Sequence, residues 1–206
     1  MRADLYKNSI IFGLAAAAAC FSYICLLWQL DFNPFGRHKY LYSGIYAIFF
    51  VWGMRRFRVK HNNDQLSSVQ GLSTGLLLNL VATVTYGLLL LLLMSTVGSG
   101  LIERHRAALD GLQLANIDYM KGQMEESLKL EDKEAYENLG EQLTTMEAMY
   151  QNFLNSELSA ADLALDQASG LFMLGIFLTF LFMLILRSKS EAGNDTKVPK
   201  KPKLKR

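Results

Sequence analysis

Glu103, His105 and Arg106 stand within four residues of one another beside a long apolar run. A carboxylate, an imidazole and a guanidinium so placed could share acid–base work at a membrane face. Nothing in the sequence completes such a site. The other two histidines, His38 and His61, are distant in sequence, and none of the three has the spacing of a metal ligand or of a catalytic triad. No Gly-rich phosphate loop, nucleophile elbow or zinc pattern occurs. The two cysteines, Cys20 and Cys25, lie five residues apart in one apolar run. On a helix they point to different faces and make neither a disulfide nor a metal pair. Glu103, His105 and Arg106 therefore read as the charged, solvated start of a helix. The expectation is a chain without enzyme activity, cofactor or metal.

A second polar pattern lies inside an apolar run. In GLSTGLLLNLVATVTYGLLL, residues 71 to 90, a small or polar residue returns every fourth position at Gly71, Gly75, Asn79, Thr83 and Gly87. Helices in lipid associate through close backbone approach and through polar side chains that find partners. Gly71 and Gly75 supply the first and Asn79 the second. Strict fours imply a right-handed crossing, whereas Gly75, Asn79, Ala82 and Tyr86 at fours and threes fit a left-handed bundle, the preferred set. The packing face is thus expected to comprise Gly71, Gly75, Asn79, Ala82, Thr83 and Tyr86. It meets either the other helices of the chain or a second copy. The alternative is a small polar cleft lined by Gln29, Asn79, Thr83, Thr85 and Tyr86.

The elements that must hold these residues follow from hydropathy. Of 206 residues, 51% are apolar and only 3 are Pro, and the apolar residues concentrate in four runs: Ser9 to Leu30, Tyr40 to Met54, Leu72 to Val97 and Gly170 to Leu186. A helix crossing ~30 Å of hydrocarbon needs ~20 residues. No Asp, Glu, Lys, Arg or His interrupts any run, which removes the usual mark of a proton or ion carrier. The second run is short, but Lys39, Arg55 and Arg56 can snorkel to the headgroups. The AAAAAC that ends at Cys20 is not expected to be a lipoprotein site, because the apolar run continues through Leu30.

Charge sets orientation. Arg55, Arg56, Arg58 and Lys60 form a cytoplasmic anchor after the second run, and the tail from Arg187 holds eight Lys or Arg against Glu191 and Asp195. Both belong inside, as do Arg2 and Lys7, giving N-in and C-in. Leu101 to Ser169 carries fourteen Asp or Glu against five Lys or Arg, a net charge of −9, and should face outward. The short loop DFNPFGRHKY then leaves Arg37 and Lys39 outside, against the rule.

The outward segment shows helical periodicity. Tyr136, Leu139, Leu143, Met146, Tyr150 and Phe153 alternate steps of three and four, a heptad seam flanked by Glu137, Glu141 and Glu147. Upstream, Leu109, Leu112, Ile117, Met120, Met124 and Leu128 form a looser stripe. Asp132 has the position of an N-cap for the second helix. The spacing predicts an αα-hairpin whose stripes bury each other, or one that keeps a face open for a partner or a second copy. Ser159 and Asp162 have capping-box spacing, so the last helix should start near Ala160, outside the membrane.

The predicted fold is all-α: an integral membrane four-helix bundle with an extracytoplasmic helical hairpin inserted between spans three and four. Residues 1–100 hold the first three transmembrane helices, 101–169 the acidic hairpin, 170–187 the fourth span and 188–206 a disordered basic cytoplasmic tail. KVPKKPKLKR in that tail lacks interleaved aromatics, so it should lie on anionic lipid and bind no nucleic acid. FGL, MRRFR and GLSTGLLL, with this order of spans and loops, resemble over residues 8 to 188 a Bacteroidota family of four-span proteins known as domain of unknown function four-one-nine-nine. That resemblance implies a multi-pass protein of the bacterial inner membrane and transfers no functional residue. The expected function is an interaction or scaffold protein that presents the acidic hairpin to a second copy or an envelope partner. The alternative is a small transporter or an accessory subunit of a membrane enzyme, with the polar face of the third span bordering its path.

Overall fold

A computed structural model of the chain describes residues 2–36, 38–61, 66–97 and 99–186. The expected basic tail, 188–206, and Arg37 lie outside the described residues. Within them the chain forms six α-helices and a π-helical turn, with no strand. The helices are α1 (Arg2–Gln29), α2 (Lys39–Arg56), α3 (Ser68–Val97), α4 (Ser99–Lys129), α5 (Lys133–Asn155) and α6 (Ala160–Leu186), with the π turn at Phe57–His61 after α2.

Three helices, α1, α3 and α6, are long and apolar enough to cross a membrane. Their outward sides are what lipid requires and water does not tolerate: Leu80, Val84, Leu88 and Leu92 on α3 and Met173, Phe177, Phe180 and Leu184 on α6 are all exposed. The chain is therefore an all-helical membrane protein. α2 is shorter, 18 residues with Lys39, Arg55 and Arg56 at its ends, or about 27 Å at helical rise.

α3 is the centre of the bundle, between α1 and α6. It runs parallel to α1, where Ser9 Oγ donates to the Thr74 carbonyl at 3.2 Å and Trp28 approaches Gly100 at the start of α4. It runs antiparallel to α6, where Gly71 meets Met183 and Gly87 meets Ala168. α2 lies antiparallel to α1, tied by Asn8 Nδ2 donating to the Gly53 carbonyl at 2.9 Å and Cys20 Sγ to the Tyr42 carbonyl at 3.5 Å. Tyr46, Phe50, Met54, Phe57, Ile24, Leu78, Tyr86, Leu90 and Leu171 form the core between these four helices.

α4 follows α3 almost without interruption and, at 31 residues, extends about 46 Å. The chain turns back at Glu131, whose φ of 59° is in the left-handed region. Asp132 then caps α5 by accepting from Ala135 N at 3.0 Å. α5 packs along α4, and none of its residues is buried. At the start of α6, Ser159 Oγ accepts from Asp162 N at 3.1 Å, giving the last helix its first turn at Ala160.

Candidate functional site

All six residues singled out on α3 are buried: Gly71, Gly75, Asn79, Ala82, Thr83 and Tyr86. They divide between two rows. The row at strict fours meets α6: a Cβ at Gly71 would lie 3.2 Å from Met183 Cγ, one at Gly75 2.7 Å from Thr179 Cγ2, and one at Gly87 3.2 Å from Ala168 Cβ. Ala82 and Tyr86 belong to the neighbouring row with Leu78 and Leu90, which turns toward α1 and α2. There Leu78 touches Gly53, and the Tyr86 ring lies 5.7 Å from that of Tyr42.

Asn79 is the polar centre of the α3–α6 contact. It is fully buried. Its Nδ2 donates to the Phe172 carbonyl at 3.0 Å, and its Oδ1 accepts from the Tyr46 hydroxyl at 2.7 Å and from Thr83 Oγ1 at 3.2 Å. Three helices, α2, α3 and α6, therefore converge on one amide. The amide fits because Gly175 faces it: a Cβ there would overlap the Asn79 side chain and the Tyr46 hydroxyl. Thr179, one turn further along α6, is fully buried and returns its hydroxyl to the Gly175 carbonyl at 2.7 Å, so it makes no demand on α3. Gly175 and Thr179 were missed at the sequence level, although their spacing of four on an apolar helix is the same small-residue signal that marks Gly71 and Gly75. The Tyr86 hydroxyl, in contrast, is buried without a hydrogen-bond partner among the described residues.

A second polar cluster closes the end of the bundle next to α4 and holds α4 to it. Arg104 lies over the Trp28 ring at 4.5 Å and pairs with Asp31 at 2.9 Å. His105 stacks edge-on against Phe35 at 5.5 Å between ring centres, with Nδ1 3.4 Å from Asn33 Nδ2. The expectation of a solvated helix start fails at this residue: His105 is buried, 8% exposed. The cause is Phe35, which is itself buried on the bundle and needs a lid. Burial lowers the His105 pKa below its ordinary value; Lys39 adds to that effect and Asp166 opposes it. Close by, the Tyr42 hydroxyl donates to Gln167 Oε1 at 3.4 Å, and Gln167 Nε2 donates to Asp166 at 2.8 Å. Glu103 is exposed, and Arg106 turns away to the Leu154 carbonyl at 2.9 Å. The three residues of the opening motif thus point to different places and form no joint catalytic group.

Along the seam of α5, Leu139, Leu143, Met146, Tyr150 and Phe153 are half-buried against α4, and Tyr136 is 39% exposed. Tyr150 donates to Asp110 Oδ1 at 2.7 Å, which raises the phenol pKa, and Lys121 pairs with Glu147 at 3.0 Å. On α4, Ile117 is buried, whereas Leu112 and Leu128 of the expected stripe are exposed. At the opposite end of the bundle, Arg56 lies over the Phe12 ring at 5.5 Å. Arg55 and Lys60 are exposed, and Arg56 and Arg58 half-buried.

The geometry is that of a packed apolar bundle joined to a charged helical pair, and sequence comparison assigns it a family. Residues 7–188 match the family described as protein of unknown function (DUF4199). The chain belongs to that family. The match runs from within α1 past the end of α6, so both the bundle and the α4–α5 pair lie inside the matched residues. No curated protein and no solved structure matches the chain.

Proposed function

We propose that this family member is a non-enzymatic scaffold of the bacterial inner membrane. In this reading α1, α2, α3 and α6 all cross the bilayer, the two chain ends lie in the cytoplasm, and the acidic α4–α5 pair stands outside as an interaction surface. Anionic lipid meets the basic tail and the cytoplasmic anchor. One observation carries the reading: Asn79 and Thr83, the polar groups of α3 at its contact with α6, are used up in hydrogen bonds within the bundle. Asn79 bonds to three helix partners at a point where Gly175 leaves no room for another atom. The surface free for partners is instead the α4–α5 pair, where α5 has no buried residue.

Cysteines introduced at Asn79, Thr83 and Tyr86, each treated with a membrane-impermeant thiol reagent, test this. The expected result is protection at all three. Ready modification would replace the scaffold by the transporter or accessory-subunit reading, for which the unpartnered Tyr86 hydroxyl is the supporting observation. Protease added to intact spheroplasts tests the orientation: cleavage between Leu101 and Ser169 is expected, and cleavage confined to the tail after Arg187 would reverse it.

A further inference from the structure

The α4–α5 pair buries less than its apolar residues allow. Beyond the base of α4, Ile117 is its one buried apolar residue among those described, while Leu112, Leu114, Tyr119, Met149 and Leu154 are exposed. Along one side a groove of about 570 Å³ opens between the helices, lined by Leu114, Ile117 and Lys121 of α4 and by Thr144, Glu147, Ala148, Tyr150 and Gln151 of α5. On the helical repeat, Glu125 on α4 and Glu137 and Glu141 on α5 continue the two rows that line it. All three are exposed.

Charge selects the occupant. Residues 110–147 contain ten Asp or Glu against three Lys, and no Arg. A second copy would set a net −7 against a net −7, and like charges across an interface suppress pairing. A groove with Leu114, Ile117 and Ala148 along it, its one lining acid Glu147 already paired with Lys121 at 3.0 Å, and exposed acids continuing both of its rows fits the opposite pattern. We propose that it receives a basic amphipathic helix of another protein, with the apolar stripe on Leu114, Ile117 and Ala148 and Lys or Arg side chains toward Glu125, Glu137 and Glu141. This is helix-in-groove recognition, in which residues at i, i+3, i+4 and i+7 act as anchors. It rests on reading the α4–α5 pair as an interaction surface and names the partner's chemistry.

The test uses the full chain in zwitterionic nanodiscs and a fluorescent Leu/Lys peptide of about 18 residues, or five helical turns, with Leu at those spacings. A scrambled peptide of identical composition is the control. The patterned peptide should bind about tenfold more tightly than the scrambled one, and Ala148→Trp, which fills the groove, should remove that advantage. Gln142→Trp, at an exposed site off the groove rows, should change affinity less than about twofold. Equal binding of the two peptides, or indifference to Ala148→Trp, would overturn the proposal by reducing the attraction to bulk charge. A disulfide-linked dimer of Ala148→Cys, with no peptide selectivity, would make a second copy the occupant; that overturns the basic-helix proposal and leaves the interaction surface standing. Neither peptide selectivity nor dimer, with hydrogen exchange of α5 as slow as that of α3, would overturn both.

Discussion

Asn79 occupies the space that a side chain at Gly175 would need. The two residues, on α3 and α6, stand so close that a Cβ at Gly175 would overlap the amide, and the same amide accepts from the Tyr46 hydroxyl of α2 at 2.7 Å. A polar residue in lipid is stable only when its hydrogen bonds are made within the protein. Here that requirement ties three helices to one register, in which Gly175 stands opposite the amide and the Phe172 carbonyl lies within its reach.

Gly175→Ala should therefore destabilise the bundle although it adds one methyl group. Overpacking of a filled core costs about 1–3 kcal/mol, and displacement of Asn79 would leave the Tyr46 hydroxyl without its acceptor. Gly170→Ala, on the same helix with nothing within 4 Å of the added Cβ, is the control; helix propensity limits its effect to about 1 kcal/mol. Thermal unfolding in detergent should give a lower Tm for Gly175→Ala and an unchanged or higher one for Gly170→Ala. Equal Tm values would mean that the helices separate easily at this contact.

Removing the amide should cost more than removing one of its donors. Tyr46→Phe deletes one hydrogen bond and leaves Asn79 still bonded to Thr83 and Phe172, so a loss of about 0.6–1.5 kcal/mol is expected. Asn79→Ala strands the Tyr46 hydroxyl and opens a cavity between three helices, with an expected loss of about 2 kcal/mol or more. Chemical denaturation in mixed micelles would rank the two, and the reverse order would show that Tyr46 is held by something other than Asn79.

What the sequence made legible is local. Capping spacing pointed to Asp132 and Ser159, and the helices begin there because a side-chain oxygen next to free backbone N–H groups needs no tertiary partner. Hydropathy found the apolar helices, the three-and-four spacing found the α4–α5 pair, and the recurrence of small residues marked one face of α3. The identity of the facing element was not legible, since a row of fours on α3 does not say whether α1, α6 or a second copy fills it. Gly175 acquires meaning only opposite Asn79, and Gln167 only opposite Tyr42. His105 was misread for the same reason. Beside Glu103 and Arg106 it belongs by composition to a solvated turn, and it is the burial of Phe35, 70 positions earlier in the chain, that draws it inside.

Acid should loosen the base of α4. The His105 pKa is depressed by burial and by Lys39, so the neutral ring is the form the fold accommodates. Its contribution to stability is complete above the ordinary value of 6.5 and is lost as pH falls through the lower folded value. Protection factors of residues 100–106, taken relative to the intrinsic exchange rate at each pH, should fall as the pH drops from about 7 to about 5, below the range where an unperturbed imidazole takes up its proton. His105→Gln, which cannot be protonated, should show a smaller change over the same interval. An identical pH response in the variant would mean that His105 is not the group responsible.

The unequal burial along α4 and α5 gives the last prediction a sharp form. By sequence pattern Leu143 lies mid-seam, where a charge would be intolerable; in the structure it is half-buried, whereas Ile117 across the pair is 5% exposed. A carboxylate at Leu143 can turn its oxygens to water, which removes most of the desolvation cost. One at Ile117 cannot, and it also abandons the buried contact, for which large-to-small replacement alone costs about 2–5 kcal/mol. Ile117→Asp should therefore release α5 from α4, while Leu143→Asp should weaken the pair without separating it. Insertion of α1, α3 and α6 should survive both, because it depends on apolar length. Limited proteolysis of the full-length protein in detergent reads the difference: rapid cutting within 101–159 for Ile117→Asp, slower cutting for Leu143→Asp, and intact bundle fragments in each case. If both variants were cut at the same rate, the pair would be held along the whole α5 seam and not by the single buried contact at Ile117.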